Sequence, residues 1–334
     1  MWKVVGHDQA VTFLDRSLRN GRLSHAYLLV GPPSVGKMRL AIDLAKALNC
    51  EGDERPCDAC TQCTRIEQGK HADVQVIGVN SKTEIGMGQL KDMQHLASLR
   101  PFEGRRRVFV IDGADLMSRE ATNRLLKTLE EPPPDVQFIL LATTEKAVLP
   151  TVRSRCHKLE LRPLPVDKVS GSLAQRWGTE PERAELLARL CCGCLGWAVR
   201  ALEDERVVDQ RSERLASLLC LGTEGRTERF AFAAQLAYQF ARDREPVREL
   251  LSLWTGWWRD LLLVKSGCGD LVSNVDHSET LQQEAQAYSL RDIHEFMRLL
   301  YRALTQLEQN ASPRLVLEVL TLGMPQREEQ LCQR

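Results

Sequence analysis

The feature that most constrains this chain is the heptad Gly31-Pro-Pro-Ser-Val-Gly36-Lys37. It fits G-x-x-x-x-G-K, follows the apolar run Ala26-Tyr-Leu-Leu-Val30, and precedes Leu40, Leu44, Ala47 and Leu48 at helical spacing. Strand, glycine loop and helix in that order make a phosphate cradle. Backbone N–H groups turn inward, the helix N-terminus adds its positive dipole end, and Lys37 reaches the β- and γ-phosphates. Gly31, Gly36 and Lys37 are therefore candidate nucleotide-binding residues. The magnesium equipment is thinner. Met38 stands where a Ser or Thr hydroxyl would ligate the cation, and a thioether is a poor ligand for so hard an ion. Asp112, which ends the apolar run from Arg107, is placed to hold the magnesium water shell. A weak or vestigial nucleotide site, a working ATPase and a purely structural glycine turn are the readings this pattern leaves open.

Apolar runs at Val74–Val79, Val108–Ile111, Phe138–Ala142 and His157–Leu161 predict further strands, with helical spacing over Gln89–Leu99 and Arg119–Leu129 between them. Strands separated by helices imply parallel pairing with right-handed crossovers. The expected fold class is α/β, a parallel five-stranded sheet with helices on both faces. Pro163 and Pro165 close that pattern, and beyond them the periodicity is helical. The expected division is a phosphate-loop domain at 1–165, a short helical segment at 166–207 and a helical bundle at 208–334. In the bundle's clearest helix, Leu250–Val264, the residues Trp254, Trp257, Trp258, Leu261 and Leu262 share one face, which reads as a packed core.

Cys50, Cys57, Cys60 and Cys63 form C-x6-C-x2-C-x2-C in a polar loop at about 50–63. Four soft ligands so close in sequence predict a tetrahedral structural zinc, with no open position for catalysis. An iron–sulfur cluster and free buried thiols are the alternatives. His71, just past the group, is not expected to be a ligand, and Cys191, Cys192 and Cys194 are expected to be small core residues. Arg100 with Arg105, Arg106 and Arg107 is the densest positive segment. It reads first as a solvated strand entrance and otherwise as a DNA-phosphate contact.

Three segments carry a resemblance. Ser24-His-Ala-Tyr-Leu-Leu-Val-Gly31, Asn123-Arg-Leu-Leu-Lys-Thr-Leu-Glu-Glu-Pro-Pro133 and Thr151-Val-Arg-Ser-Arg-Cys156 are similar to segments shared by subunits of the bacterial DNA polymerase III clamp loader, an AAA+ assembly. The resemblance implies an AAA+ domain with a zinc module, a helical lid and a C-terminal collar that holds a five-subunit ring. It implies that Arg155 acts in trans, since a fixed guanidinium can pair with phosphate oxygens held by an adjoining chain, the alternative being a surface arginine that caps a helix or pairs with a carboxylate. Motor subunits of the family carry a Glu after the Asp112 position and an arginine in the lid. Here those positions are Gly113 and Gly196. With Trp254-Thr-Gly-Trp-Trp and Asn274-Val-Asp, this is similar to the delta-prime type, whose own ATPase is weak or absent. Implied partners are gamma/tau and delta subunits, the sliding clamp, and primer–template DNA through the complex. Implied cofactors are zinc and, at the loop, ATP or ADP. A gamma/tau-like motor subunit, or an AAA+ adaptor of a repair or helicase-loading assembly, is the alternative. Polymerase chemistry is not expected of this chain.

Lys and Arg number 45 against 45 for Asp and Glu, so no global excess of positive charge attracts nucleic acid, and a DNA contact is expected to be shared. Apolar residues at 43% exclude a disordered chain. No stretch approaches the roughly 20 apolar residues of a membrane span, and the start is unlike a signal peptide, which predicts a cytoplasmic location.

Overall fold

The computed structural model describes residues 2–79, 84–309 and 311–326. The chain divides into two compact units, Met1–Lys168 with Cys194–Gly196, and Val169–Gly193 with Trp197–Arg334.

The first unit runs α1 (Asp8–Arg19), β1 (Ala26–Val30), α2 (Lys37–Asn49), α3 (Thr61–Glu67), β2 (Val74–Ile77), α4 (Met87–Ala97), β3 (Arg107–Asp112), α5 (Arg119–Glu130), β4 (Val136–Ala142), α6 (Pro150–Arg153) and β5 (His157–Glu160). Its strands form one sheet in the order β2-β3-β4-β1-β5, and every pairing is parallel. Alternation along the strands supplies two cores. Leu28, Phe109, Ile111, Phe138 and Leu140 pack with Leu90 and Met93 of α4 and Leu125 and Leu129 of α5. From the other face, Tyr27, Leu29, Val108, Val110, Ile139 and Leu141 pack with Leu14 of α1 and Leu40, Leu44 and Leu48 of α2. Both faces are therefore buried, as near-continuous apolar strands require. The order also fixes where a ligand can sit. β1 lies between β4 and β5, and its exit turns at the carboxyl end of the sheet, level with the ends of β3 and β4.

Asp73, just before β2, organises the opposite end of the sheet. Its carboxylate, 1% exposed, accepts the N–H groups of Phe102, Glu103 and Gly104 at 2.8–2.9 Å and Nη2 of Arg107 at 2.9 Å. Burial alone would push this carboxyl up, but those donors hold it below the usual range. Arg107 is consequently no part of a solvated strand entrance. It is 6% exposed and also donates to Leu96 O and Arg100 O, whereas Arg100 and Arg105 face solvent. The difference arises because Asp73 lies 34 residues away in sequence, where no local charge pattern reveals it.

The remaining helices are α7 (Val166–Trp177), α8 (Pro181–Leu190), α9 (Leu195–Glu203), α10 (Arg206–Cys220), α11 (Arg226–Arg242), α12 (Glu245–Lys265), α13 (Ser278–Ala287), α14 (Leu290–Glu308) and α15 (Pro313–Leu322). α12 starts five residues before the expected Leu250, because Pro246 fits a helix's first turn, where its missing N–H has no partner to lose. Trp254, Trp257 and Trp258 are each 1% exposed, and Trp258 lies 4.6 Å from Phe296 and 4.9 Å from Tyr288 between ring centroids. The Asn274-Val-Asp sequence acquires a physical role here. Buried Asp260 accepts the N–H groups of Ser273 and Asn274 and the Asn274 amide through one oxygen, while Arg211 of α10 bonds Asn274 and Asp276. That polar clasp ties α10 and α12 to the 273–277 turn.

Cys191 is buried, as a core residue should be. Cys192 is exposed with φ of 49°, because α8 ends in a left-handed turn there.

Candidate nucleotide, arginine and metal sites

β1 ends at Val30, and Gly31 donates its N–H to Ala142 O at 3.2 Å, so the loop begins flush with the end of β4. A Cβ at Gly31 would lie 2.3 Å from Leu161 O, which explains glycine at that position. Gly36 caps α2 with φ of 116°. Lys37 Nζ turns back on the loop and donates to Gly31 O at 2.5 Å and Pro32 O at 2.8 Å. Met38 packs toward the core below α2 and offers no oxygen. Asp112 closes β3 at an exposed position, where partial desolvation holds its carboxyl above the usual aspartate range against the opposing charge of Lys37. Thr143, at the end of β4, donates to Asp115 Oδ2 at 2.6 Å. This second polar pair at the sheet's carboxyl edge escaped the sequence, since both residues look like ordinary loop positions.

Gly113 and Gly196, where the resemblance implies a Glu and an Arg in motor subunits, are each constrained by local geometry. Gly113 has φ of 89°, in the left-handed region that disfavours a side chain, and a Cβ there would meet Leu116 at 3.2 Å. Gly196 donates its N–H to Ser34 O at 2.8 Å, inside the phosphate loop. A Cβ at Gly196 would also lie 2.8 Å from that oxygen, so any larger residue must displace the loop backbone. A larger residue at Gly196 therefore requires moving main chain, whereas one at Gly113 strains a left-handed backbone and presses on the Leu116 side chain.

Arg155 follows α6 on a short turn and is a third exposed, with 35% of its side chain accessible. Its guanidinium donates to Glu130 Oε1 at 2.7 Å and Thr151 O at 2.9 Å. The carboxylate ends α5, so the ion pair holds the arginine on the surface of its own unit. Such an exposed pair is worth about 0–1 kcal/mol. The neighbouring Cys156 thiol is pushed up to about 12 by burial, which leaves it protonated and inert.

The four cysteines converge. Their sulfurs all lie within 4.8 Å of one another, near the roughly 3.8 Å edge of a tetrahedron with ~2.3 Å metal–sulfur bonds. Backbone N–H groups point at sulfur, among them Cys57 to Cys50 at 3.3 Å, Cys60 to Cys57 at 3.3 Å, and Cys63 to Cys60 at 3.5 Å. N–H groups of Ala59 and Cys60 draw the Cys57 thiol down to about 6, while burial pushes Cys50 and Cys63 up. An all-sulfur set with amide donors on its sulfurs fits a soft or borderline cation, and Cys50, Cys57, Cys60 and Cys63 could hold one. The module is not all loop, for Cys60 caps α3 and Cys63 lies in its first turn. His71 stays outside. Its Nε2 pairs with Gln62 Oε1 at 2.6 Å, and its Nδ1 accepts the Asp73 N–H at 3.0 Å.

The profile of the family described as "DNA polymerase III, delta subunit" matches residues 6–165. The delta' subunit of Bacillus subtilis (strain 168) is 27% identical over 324 residues, covering 96% of this chain and 97% of that protein. The chain belongs to the AAA+ clamp-loader family of DNA polymerase III subunits. The tau subunit of Escherichia coli (strain K12) is more identical, 39% over 212 residues, but the match takes in 61% of this chain and 32% of tau. The chain thus spans about a third of that relative's length. A gamma subunit-related protein of Thermotoga maritima, whose structure is solved, aligns over 92% of this chain and 97% of its own at a TM-score of 0.44 and 16% identity.

In this clamp-loader chain, Gly31, Gly36 and Lys37 share the carboxyl edge of the sheet with Asp112, the four cysteines form one cluster, and Arg155 stands on its own turn. No helix among the described residues is long and apolar enough to cross a membrane.

Proposed function

We propose that the chain is a delta-prime-type subunit of a DNA polymerase III clamp loader, a stator-like member that helps place a sliding clamp on primed DNA. In this reading Arg155 serves the ATP site of a neighbouring gamma/tau subunit, and hydrolysis belongs to that neighbour. The observation that carries it is the contrast between a nucleotide site whose local geometry disfavours larger residues at Gly113 and Gly196 and an arginine held on an exposed turn. The end-to-end match with a delta' subunit supports the same reading.

The phosphate loop itself is complete in Gly31, Gly36 and Lys37, which supports binding of ATP or ADP without turnover. Cys50, Cys57, Cys60 and Cys63 would hold zinc, whose closed thiolate shell supplies structure and no catalysis. Residues 166–207 serve as a lid and 208–334 as the collar that joins gamma/tau and delta subunits. DNA is reached through the complex, and the location is cytoplasmic.

The test is ATPase turnover of the purified chain, alone and with DNA, beside its ability to assemble with gamma/tau and delta. The expected result is assembly with turnover near background. Turnover like that of a motor subunit, or failure to join those partners, overturns the reading.

A further inference from the structure

A lysine is buried where the helical pattern calls for an apolar residue. Lys46 lies on α2 between Ala45 and Ala47, and its side chain is 1% exposed. An ammonium so buried needs full pairing. Both of its partners come from the cysteine module: Asp58 Oδ1 at 2.8 Å, between Cys57 and Cys60, and Glu67 at the end of α3. Glu67 also accepts a two-pronged bond from Arg39, Nη1 to Oε1 at 2.7 Å and Nη2 to Oε2 at 2.9 Å. The same guanidinium reaches Oδ1 of Asp43, a fully buried carboxylate, at 2.7 Å. The other oxygen of Asp43 accepts the backbone N–H groups of Lys3 at 2.7 Å and Val4 at 2.8 Å. Three residues further on, His7 Nε2 lies 3.0 Å from Val35 O in the phosphate loop.

These bonds form a continuous path: module, Asp58 and Glu67, Lys46 and Arg39, Asp43, residues 3–7, phosphate loop. We propose that this charge relay couples metal occupancy of the cysteine module to the conformation of the amino-terminal segment and the phosphate loop. The proposal rests on the metal reading of the four cysteines. The two-state element is the module, closed on a cation or released. Asp58 sits at φ of 60°, in the left-handed region that Asp enters more readily than most residues, and the Cys57–Cys60 turn holds it there. When the sulfurs separate, that constraint goes, Asp58 leaves Lys46, and α3 is free to withdraw Glu67 from both cations. A lysine stripped of its partners cannot stay in an apolar helix face, so α2 shifts, and Asp43 loses the guanidinium that fixes it under Lys3 and Val4. Physical contiguity alone does not prove coupling, but the relay makes a specific demand. Loosening must appear far from the module in sequence, at the amides of Lys3 and Val4 bonded to Asp43.

Hydrogen exchange on the full chain, with metal content measured in parallel, tests it. Wild-type protein carrying one metal per chain is compared with chelator-treated protein and with Glu67→Gln. Chelation is expected to raise exchange at residues 3–7 about tenfold or more, together with residues 50–63, and to leave β4 unchanged. Glu67→Gln is expected to keep its metal and still loosen residues 3–7. Wild-type protein that binds no metal overturns both the metal reading and the proposal. Metal present, with residues 3–7 unmoved by chelation or by Glu67→Gln, overturns the relay alone.

Discussion

The phosphate loop and the cysteine module lie on one α/β unit, joined by a single helix, and they have opposite characters. At the loop the backbone is intact while the side chains of chemistry are missing: Met38 packs inward, Gly113 and Gly196 have no side chain, and Lys37 bonds the loop's own carbonyls. In the module the donor set is complete, four sulfurs with amides turned toward them. A motif match therefore reports architecture, and function has to be read from which donors remain. The loop has a shape that would cradle a phosphate, and the module has four sulfurs that could hold a metal.

The comparison breaks most easily at the module. Cys60→Ser removes one sulfur while leaving a hydroxyl that can still cap α3, and is expected to destabilise the first unit by about 3 kcal/mol or more, read by urea denaturation with metal content. A variant that has lost its metal yet is as stable as wild type would deny the module its structural role. At the loop the expected effect is smaller and of a different kind. Gly196→Arg restores the residue type a motor subunit carries, yet its Cβ meets Ser34 O, so it is expected to lower stability by roughly 1–3 kcal/mol and to leave ATPase turnover at background. Recovered turnover would mean that the site is depleted in side chains only and that its backbone remains competent.

Much of the fold was legible because both of its periodicities are local. Five apolar runs became five parallel strands with ends displaced by a few residues, and the tryptophan stripe became the core of α12. The C-x2-C steps brought their sulfurs together as spacing demands. What escaped shares one property. Arg107 with Asp73 and Lys46 with Asp58 and Glu67 are charges buried against partners 12 to 34 residues away, and the more exposed Arg39 reaches Glu67 across 28 residues. A charged residue in a helix or strand reads as a solvated position, and only the tertiary structure reveals its partner. The helix α3 was hidden for a related reason. It is seven residues long, and its N-cap is a cysteine that reads first as a ligand.

Arg155 is where a depleted nucleotide site and an assembled machine would meet. The decisive measurement is Arg155→Ala in a loader reconstituted with gamma/tau, delta, the clamp and primed DNA. Since the residue's visible bonds are an exposed ion pair, a hydroxyl and a carbonyl, folding and assembly should be preserved. Clamp loading should fall by about tenfold or more, with a loss of DNA-stimulated ATPase, because the charge would be missing from a neighbour's transition state. Loading and ATPase rates equal to wild type, in a complex of normal composition, would contradict the account.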